Sequence, residues 1–406
     1  MTKTKHTPQP IAPIKPKSLI CHNQSRTDNY YWMNDRENPE VIQYLEEENK
    51  YKDNLLKGTE DLQTSLFKEM KGRIKEDDSS VPYFKNGYFY YNRFEKGKEY
   101  PVYCRKKGHL ESEELILINV NDLAKGHEYT NVNALAISDN NQLLAYSLDT
   151  VGRRIYNIHF KALEDAIVVK DQLKAVTGNI VWSGDNKTVF YTQQDAQTLR
   201  PNKVYRHVLG TPQETDVLIF EEKDETFTVG LKKSKSKKFL FIVSQSTIST
   251  EYRFLPVDRP NDNWKIIQER QDNLEYEVDH YESNFIILTN ADQAKNFKLV
   301  KTPIDQPKKE NWEDIIPVRE NVLLEEFEVF KHHLVIANRF NGLQRLEIRS
   351  WEGEKKHTIK MEDPAYTVWI GTNPEFYTEV LRYGYNSLTT PASVYDYHME
   401  TREKTL

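Results

Sequence analysis

The spacing of apolar residues divides the chain into two regimes. In "NPEVIQYLEEENKYKDNLLKG", Val41, Tyr44, Leu45, Tyr51 and Leu55 recur at helical spacing. Asn38 can cap that helix, Pro39 fits its first turn and Gly58 can end it. A second helix is expected with Leu62, Leu66, Phe67, Met70 and Ile74 on one side. Four prolines at positions 8, 10, 13 and 16 make residues 1–18 an extended arm. From about Val81 onward the apolar period becomes two and stays near two, the mark of strands with one face buried.

The alternating segments repeat one grammar of strand, tight polar turn, strand, loop, strand, turn, strand. Units begin near 83, 132, 179, 226, 274, 325 and 366. A repeat of about 40–50 residues with four strands predicts a β-propeller, because a lone four-stranded sheet leaves two apolar faces wet and radial stacking covers both. Seven units predict seven blades. The first and last units each hold four strands of their own, so neither terminus needs to lend a strand to the other. The expected fold is therefore an all-β, seven-bladed propeller with open closure over 79–406, preceded by an α-helical arm over 1–78. On this reading side-chain packing alone joins the first blade to the last, a seam that can part.

Charge and composition narrow the function. The 406 residues carry 56 Lys+Arg against 62 Asp+Glu, for a net charge of −6, with both signs interspersed. No concentrated basic face is available for nucleic acid, which is excluded as a partner. Cys21 and Cys104 are the two cysteines, too few for a disulfide framework or thiolate metal site, and they fit a reducing, cytoplasmic setting. No stretch approaches the ~18 apolar residues of a membrane span, so no membrane partner is expected.

Known catalytic spacings are missing. The fifteen glycines include no pair spaced for G-x-S-x-G, G-x-G-x-x-G or a phosphate-binding P-loop. No catalytic residue, metal ligand or cofactor site is expected. His332 and His333 are adjacent on a strand, so they point to opposite faces and cannot clamp one ion. "KSKSKK" at 233–238 reads as a solvated hairpin tip that discourages edge pairing, "LLEEFEVF" as an inner blade strand, and Cys104 as a small buried residue.

Four stretches resemble one family, the oligopeptidase B group of prolyl oligopeptidase-type serine peptidases: "RTDNYYWMNDRENPEVIQYLEEENKY", "YFYYNRFEKGKEYPVYCRKKG", "AISDNNQLLAYSLDTVGRRIYNIHF" and "RYGYNSLTTPASVYDYHMETREK". They lie in family order across about 20–405, departing locally at His22-Asn23, Asp28-Asn29 and Met33. The resemblance implies an arm and propeller that gate an α/β-hydrolase domain, absent here, which carries the Ser-Asp-His triad and cleaves short peptides after Arg or Lys. This chain alone is then expected to be inactive. The α/β-hydrolase domain is the expected partner, facing the loops between second and third strands. Asp149, Arg153, Arg339 and Arg382 are the residues expected to form salt bridges across that interdomain, substrate-gating face. The alternative is a stand-alone propeller that binds a protein or peptide.

Overall fold

A computed structural model describes residues 8–164, 167–352 and 355–406. The chain divides into two compact units, Met1–Glu76 and Asp77–Leu406.

In the first unit a hairpin pairs Lys17–Cys21 with Gln24–Asp28, and His22 and Asn23 both take the left-handed backbone its two-residue turn requires. The proline-rich stretch before it is tied down by the Trp32 indole N–H, which donates to the Pro13 carbonyl at 3.0 Å. Helix α1 spans Pro39–Leu56, and the Asn38 side chain accepts from the Glu40 N–H at 3.0 Å, the cap expected from sequence. A single 3₁₀ turn at Lys57–Thr59 joins it to helix α2, Glu60–Gly72, so Gly58 lies inside the connection. Val41 is buried, whereas Leu45, Leu55, Leu62, Leu66, Phe67 and Met70 are exposed.

The second unit is a seven-bladed β-propeller with four antiparallel strands per blade, each blade built from consecutive strands. The first, axial strands are Tyr83–Lys85, Asn131–Ile137, Ile180–Trp182, Thr228–Lys233, Tyr276–Tyr281, Val322–Val329 and Tyr366–Ile370. The last blade closes on its own strand, Lys404–Thr405, so closure is open as expected. Turns between first and second strands therefore share one face of the ring, and loops between second and third strands share the other.

Burial explains the ring. Six apolar clusters fill the spaces between successive blades, from Tyr90, Leu117, Leu144 and Tyr146 between blades 1 and 2 to Val335, Leu346, Val368 and Leu381 between blades 6 and 7. Blades 4 and 5 meet through Phe241, Phe254 and Phe285, the last two with ring centroids 4.9 Å apart. Each such fully buried side chain contributes about 1.5–3 kcal/mol relative to exposure. Close approach sets one glycine: Gly384 pairs with Trp369 across blade 7, and a Cβ there would lie 2.0 Å from the indole.

The seventh interface differs. Among the described residues no apolar cluster joins blade 7 to blade 1. A cleft of about 280 Å³ lies there, lined by Tyr83, Phe84, Pro374, Tyr377 and Val380. Polar contacts bridge it. Arg382 Nη1 donates to the Pro82 carbonyl at 2.6 Å while Nε and Nη2 hold Asp396 at 2.7 Å each, and the Asn86 N–H donates to Glu375 at 2.5 Å. Packing alone thus does not hold the seam, because its walls are lined by turns carrying polar groups that need partners.

Two outcomes follow. Arg382→Met removes the charged donors of the seam and lowers unfolding free energy by about 2 kcal/mol, read from the urea midpoint. Gly384→Ala drives a methyl into the Trp369 ring and costs about 2–3 kcal/mol in the same assay, with the indole fluorescence altered.

Candidate functional site: the axial channel and its closed mouth

The axial strands enclose a cavity of about 470 Å³ at the face of the first-to-second strand turns. Strand alternation places its charges. In blade 5, Tyr276, Val278 and His280 are buried between blades, so Glu277 and Asp279 face the axis. Blade 6 needs a correction of phase to do the same. Val322 and Leu324 are buried before a β-bulge at Glu325, and Phe327 and Val329 after it. The extra residue turns both Glu326 and Glu328 toward the cavity. "LLEEFEVF" is the inner strand expected from sequence, and its Glu-Glu doublet is the bulge.

The lysine run of blade 4 is not a solvated tip. Lys235 reaches across to Glu328 of blade 6 at 2.5 Å, with its ammonium 3.4 Å from the Phe330 ring centre. Lys233 reaches the other way to Asp139 of blade 2 at 2.9 Å, and Lys232 pairs with Glu277 of blade 5 at 3.1 Å. The Lys235 side chain is 6% exposed, which marks a strut between blades and not a surface charge. The sequence misleads here because seven turns converge on one axis, so residues remote in the chain become each other's counter-ions.

Hydrogen bonds also link these turns around the ring. The Asn86 side chain donates to the Asp139 carbonyl (2.8 Å), the Asn140 N–H to Asn186 (3.0 Å), Gly184 N–H to the Val257 carbonyl (2.8 Å) and Lys235 N–H to Asp279 (3.1 Å). Tyr281 donates to the Lys331 carbonyl (3.1 Å) and Lys331 N–H to the Phe376 carbonyl (2.9 Å), after which the Asn86–Glu375 contact completes the circle.

Withdrawal from water shifts these groups. Burial lowers Lys85, Lys233 and Lys235 below the ordinary lysine value and raises Asp279 and Glu328. Glu326 has no ion-pair partner among the described residues. Partial burial, then the carboxylates of Glu328, Glu277 and Glu325, push it up to about 7.

The four residues expected at the loop face are dispersed. Asp149 is buried and spends its carboxylate on the N–H groups of Val151 (2.8 Å), Gly152 (3.0 Å) and Arg154 (2.8 Å), so it shapes its own loop. Arg153 is exposed on that loop, and among the described residues its guanidinium has no ion pair or hydrogen bond. Arg339 is paired with Glu325 at 2.7 Å. Arg382 stands near the start of Val380–Ser387, at the opposite end of the blade, committed to the seam. His333 opens the strand His333–Phe340 and is buried against Glu400 at 2.8 Å, whereas His332 lies in the bend before it, outside the strand expected from sequence, and is exposed. Cys104 is buried, its thiol pushed up to about 12 by burial. No cluster of His, Cys, Asp or Glu among the described residues is arranged to hold a metal, and no described helix is long and apolar enough to cross a membrane.

The raised Glu326 gives a pH signature. Its proton is held more tightly in the folded state, so the stability it contributes is present at pH 5 and is lost as pH rises through 7. Glu326→Gln should be near neutral at pH 5 and stabilising at pH 8 by about 1 kcal/mol after screening by channel water, measured by urea unfolding at both pH values.

Comparison with known proteins places this geometry. Residues 10–406 match the model described as "Prolyl oligopeptidase, N-terminal beta-propeller domain". The chain is 39% identical to "Dipeptidyl aminopeptidase BI" of Pseudoxanthomonas mexicana, over 98% of this chain and 57% of that protein. It is 34% identical to "Protease 2" of Moraxella lacunata, over 97% and 57%. The structure of oligopeptidase B from Leishmania major superposes with a TM-score of 0.91 at 30% identity, covering 98% of this chain and 60% of that one. The chain thus spans somewhat more than half the length of the curated relatives it matches. With seven four-stranded blades, open closure and this match over nearly its whole length, the chain belongs to the prolyl oligopeptidase family and corresponds to its N-terminal β-propeller.

Proposed function

We propose that this chain is the arm and substrate-gating propeller of an oligopeptidase B-like serine endopeptidase that cleaves short peptides after Arg or Lys, and that it is inactive without an α/β-hydrolase domain. The observation that carries the reading is the likeness to oligopeptidase B over nearly the whole of this chain but only 60% of that protein. In this reading the missing share of the relatives is where a triad would reside.

The lysine struts say how gating works in this reading. Lys233 and Lys235 span the axis at one mouth, so a peptide does not thread the ring from that side. Substrate enters instead by separation of propeller and hydrolase at the loop face, where Arg153 is available for an interdomain ion pair. The narrow axis keeps folded proteins out, and hinge closure excludes water from the reacting bond. The exposed stripe of Leu62, Leu66, Phe67 and Met70 on α2 is the face the hydrolase domain covers.

A second reading, release of dipeptides from peptide N-termini, is favoured by the name of the 39% identical relative. Product analysis on an N-acetylated and a free peptide separates the two once a catalytic domain is joined to this chain.

The test is association plus activity. The purified chain alone shows no hydrolysis of an arginyl-amide reporter, and triad-dependent turnover by it would overturn the proposal. Mixed with a separately expressed hydrolase domain from the Moraxella relative, it forms a complex on size exclusion. Leu66→Asp with Phe67→Asp weakens that complex at least tenfold while leaving the propeller's melting unchanged.

A further inference from the structure

Five lysines line the axial cavity, and three are matched by acids. The other two, Lys85 of blade 1 and Lys237 of blade 4, have no acid partner on their ammonium groups among the described residues. Burial disfavours the charged form of Lys85, and the neighbouring Lys237 and Lys233 disfavour it further against a smaller opposing pull from Asp139 and Glu375. The acids nearby are committed: Asp139 to Lys233, and Glu375 to the Asn86 N–H. Glu326 of blade 6 lines the same cavity with no ion-pair partner among the described residues. The cavity thus gathers two ammonium groups, from blades 1 and 4, and one carboxyl group, from blade 6, that have no ion-pair partner among the described residues.

We propose that the closed mouth of the channel binds a short peptide as a zwitterion, its C-terminal carboxylate between Lys85 and Lys237 and its amino group toward Glu326. A carboxylate between the two ammonium groups offsets their repulsion, and each contact is charge-assisted. The volume of about 470 Å³ suits a peptide of a few residues. Inorganic phosphate or a nucleotide would satisfy the lysines but set a further negative charge against Glu326, which favours the zwitterion. The site resides wholly in this chain and does not depend on the hydrolase domain, so product-length peptides would be retained at the propeller whether or not the assignment of peptidase activity holds.

The test is calorimetric titration of the whole chain at pH 7 with trialanine, its C-terminal amide, N-acetyl-trialanine and inorganic phosphate. Trialanine is expected to bind, with the amide and the acetylated peptide each at least tenfold weaker. Lys85→Met and Lys237→Met each weaken trialanine at least fivefold, whereas Lys85→Arg retains it and Lys238→Met, at an exposed neighbour outside the cavity, leaves it unchanged. Glu326→Gln weakens trialanine but not its acetylated form. Absence of trialanine binding at millimolar concentration, equal affinity for acid and amide, indifference to both lysine substitutions, or phosphate binding as tightly as trialanine would each overturn the proposal.

Discussion

The structure depends on the need of every blade to cover two apolar faces at once. A four-stranded sheet cannot do this alone, and a ring of seven does it by making each blade the lid of the next. Six of the seven spaces are filled this way, by clusters that pair, for instance, Phe190 of blade 3 with Leu240 of blade 4. The seventh is where the ends of the chain path meet. It has a cleft in place of a core, and Arg382, Asp396, Asn86 and Glu375 supply directional bonds where the others have packing. Directional bonds lose their strength over a few tenths of an ångström, whereas apolar contacts yield gradually. The seam is therefore the part of the ring whose contacts are most sensitive to small displacements.

The same geometry builds the channel mouth. Seven tight turns brought to one axis must satisfy their polar groups at close quarters. They do so with a circle of turn-to-turn hydrogen bonds and with lysine struts from blade 4 to blades 2, 5 and 6. Buried ion pairs of this kind contribute little net stability but fix register strongly, because removing one partner strands the other in a poor solvent. The mouth and the seam are joined, since the Asn86–Glu375 contact belongs to both.

Much of this was legible in the sequence. The change of apolar period near Val81, the unit spacing and the four strands in both end units give the seven blades and their open closure, since all three are local signals. Asn38 as a cap and Cys104 as a buried thiol are equally local. The failures are of another kind. "KSKSKK" reads as a tip because its counter-ions, Asp139 and Glu328, are about a hundred residues away in either direction. "RYGYNSLTT" runs from strand into turn without a break, so Arg382 reads as part of a loop, and only pairing shows that it opposes Asp396 at the other end. Asp149 looks available until its carboxylate is seen to fold its own loop. In the Glu325-Glu326 doublet the signal was present, since two successive charges in an alternating strand mark a bulge.

The account's central claim is that the ring has one polar interface among six apolar ones. Hydrogen exchange followed by mass spectrometry across a series of sub-denaturing urea concentrations tests it directly. Peptides covering Tyr88–Arg93 and Val380–Ser387 should lose protection first, well before those covering Phe239–Gln245 and Asn284–Thr289 in the middle of the ring. Loss of protection at the same urea concentration in all seven blades, or first in blades 4 and 5, would contradict it.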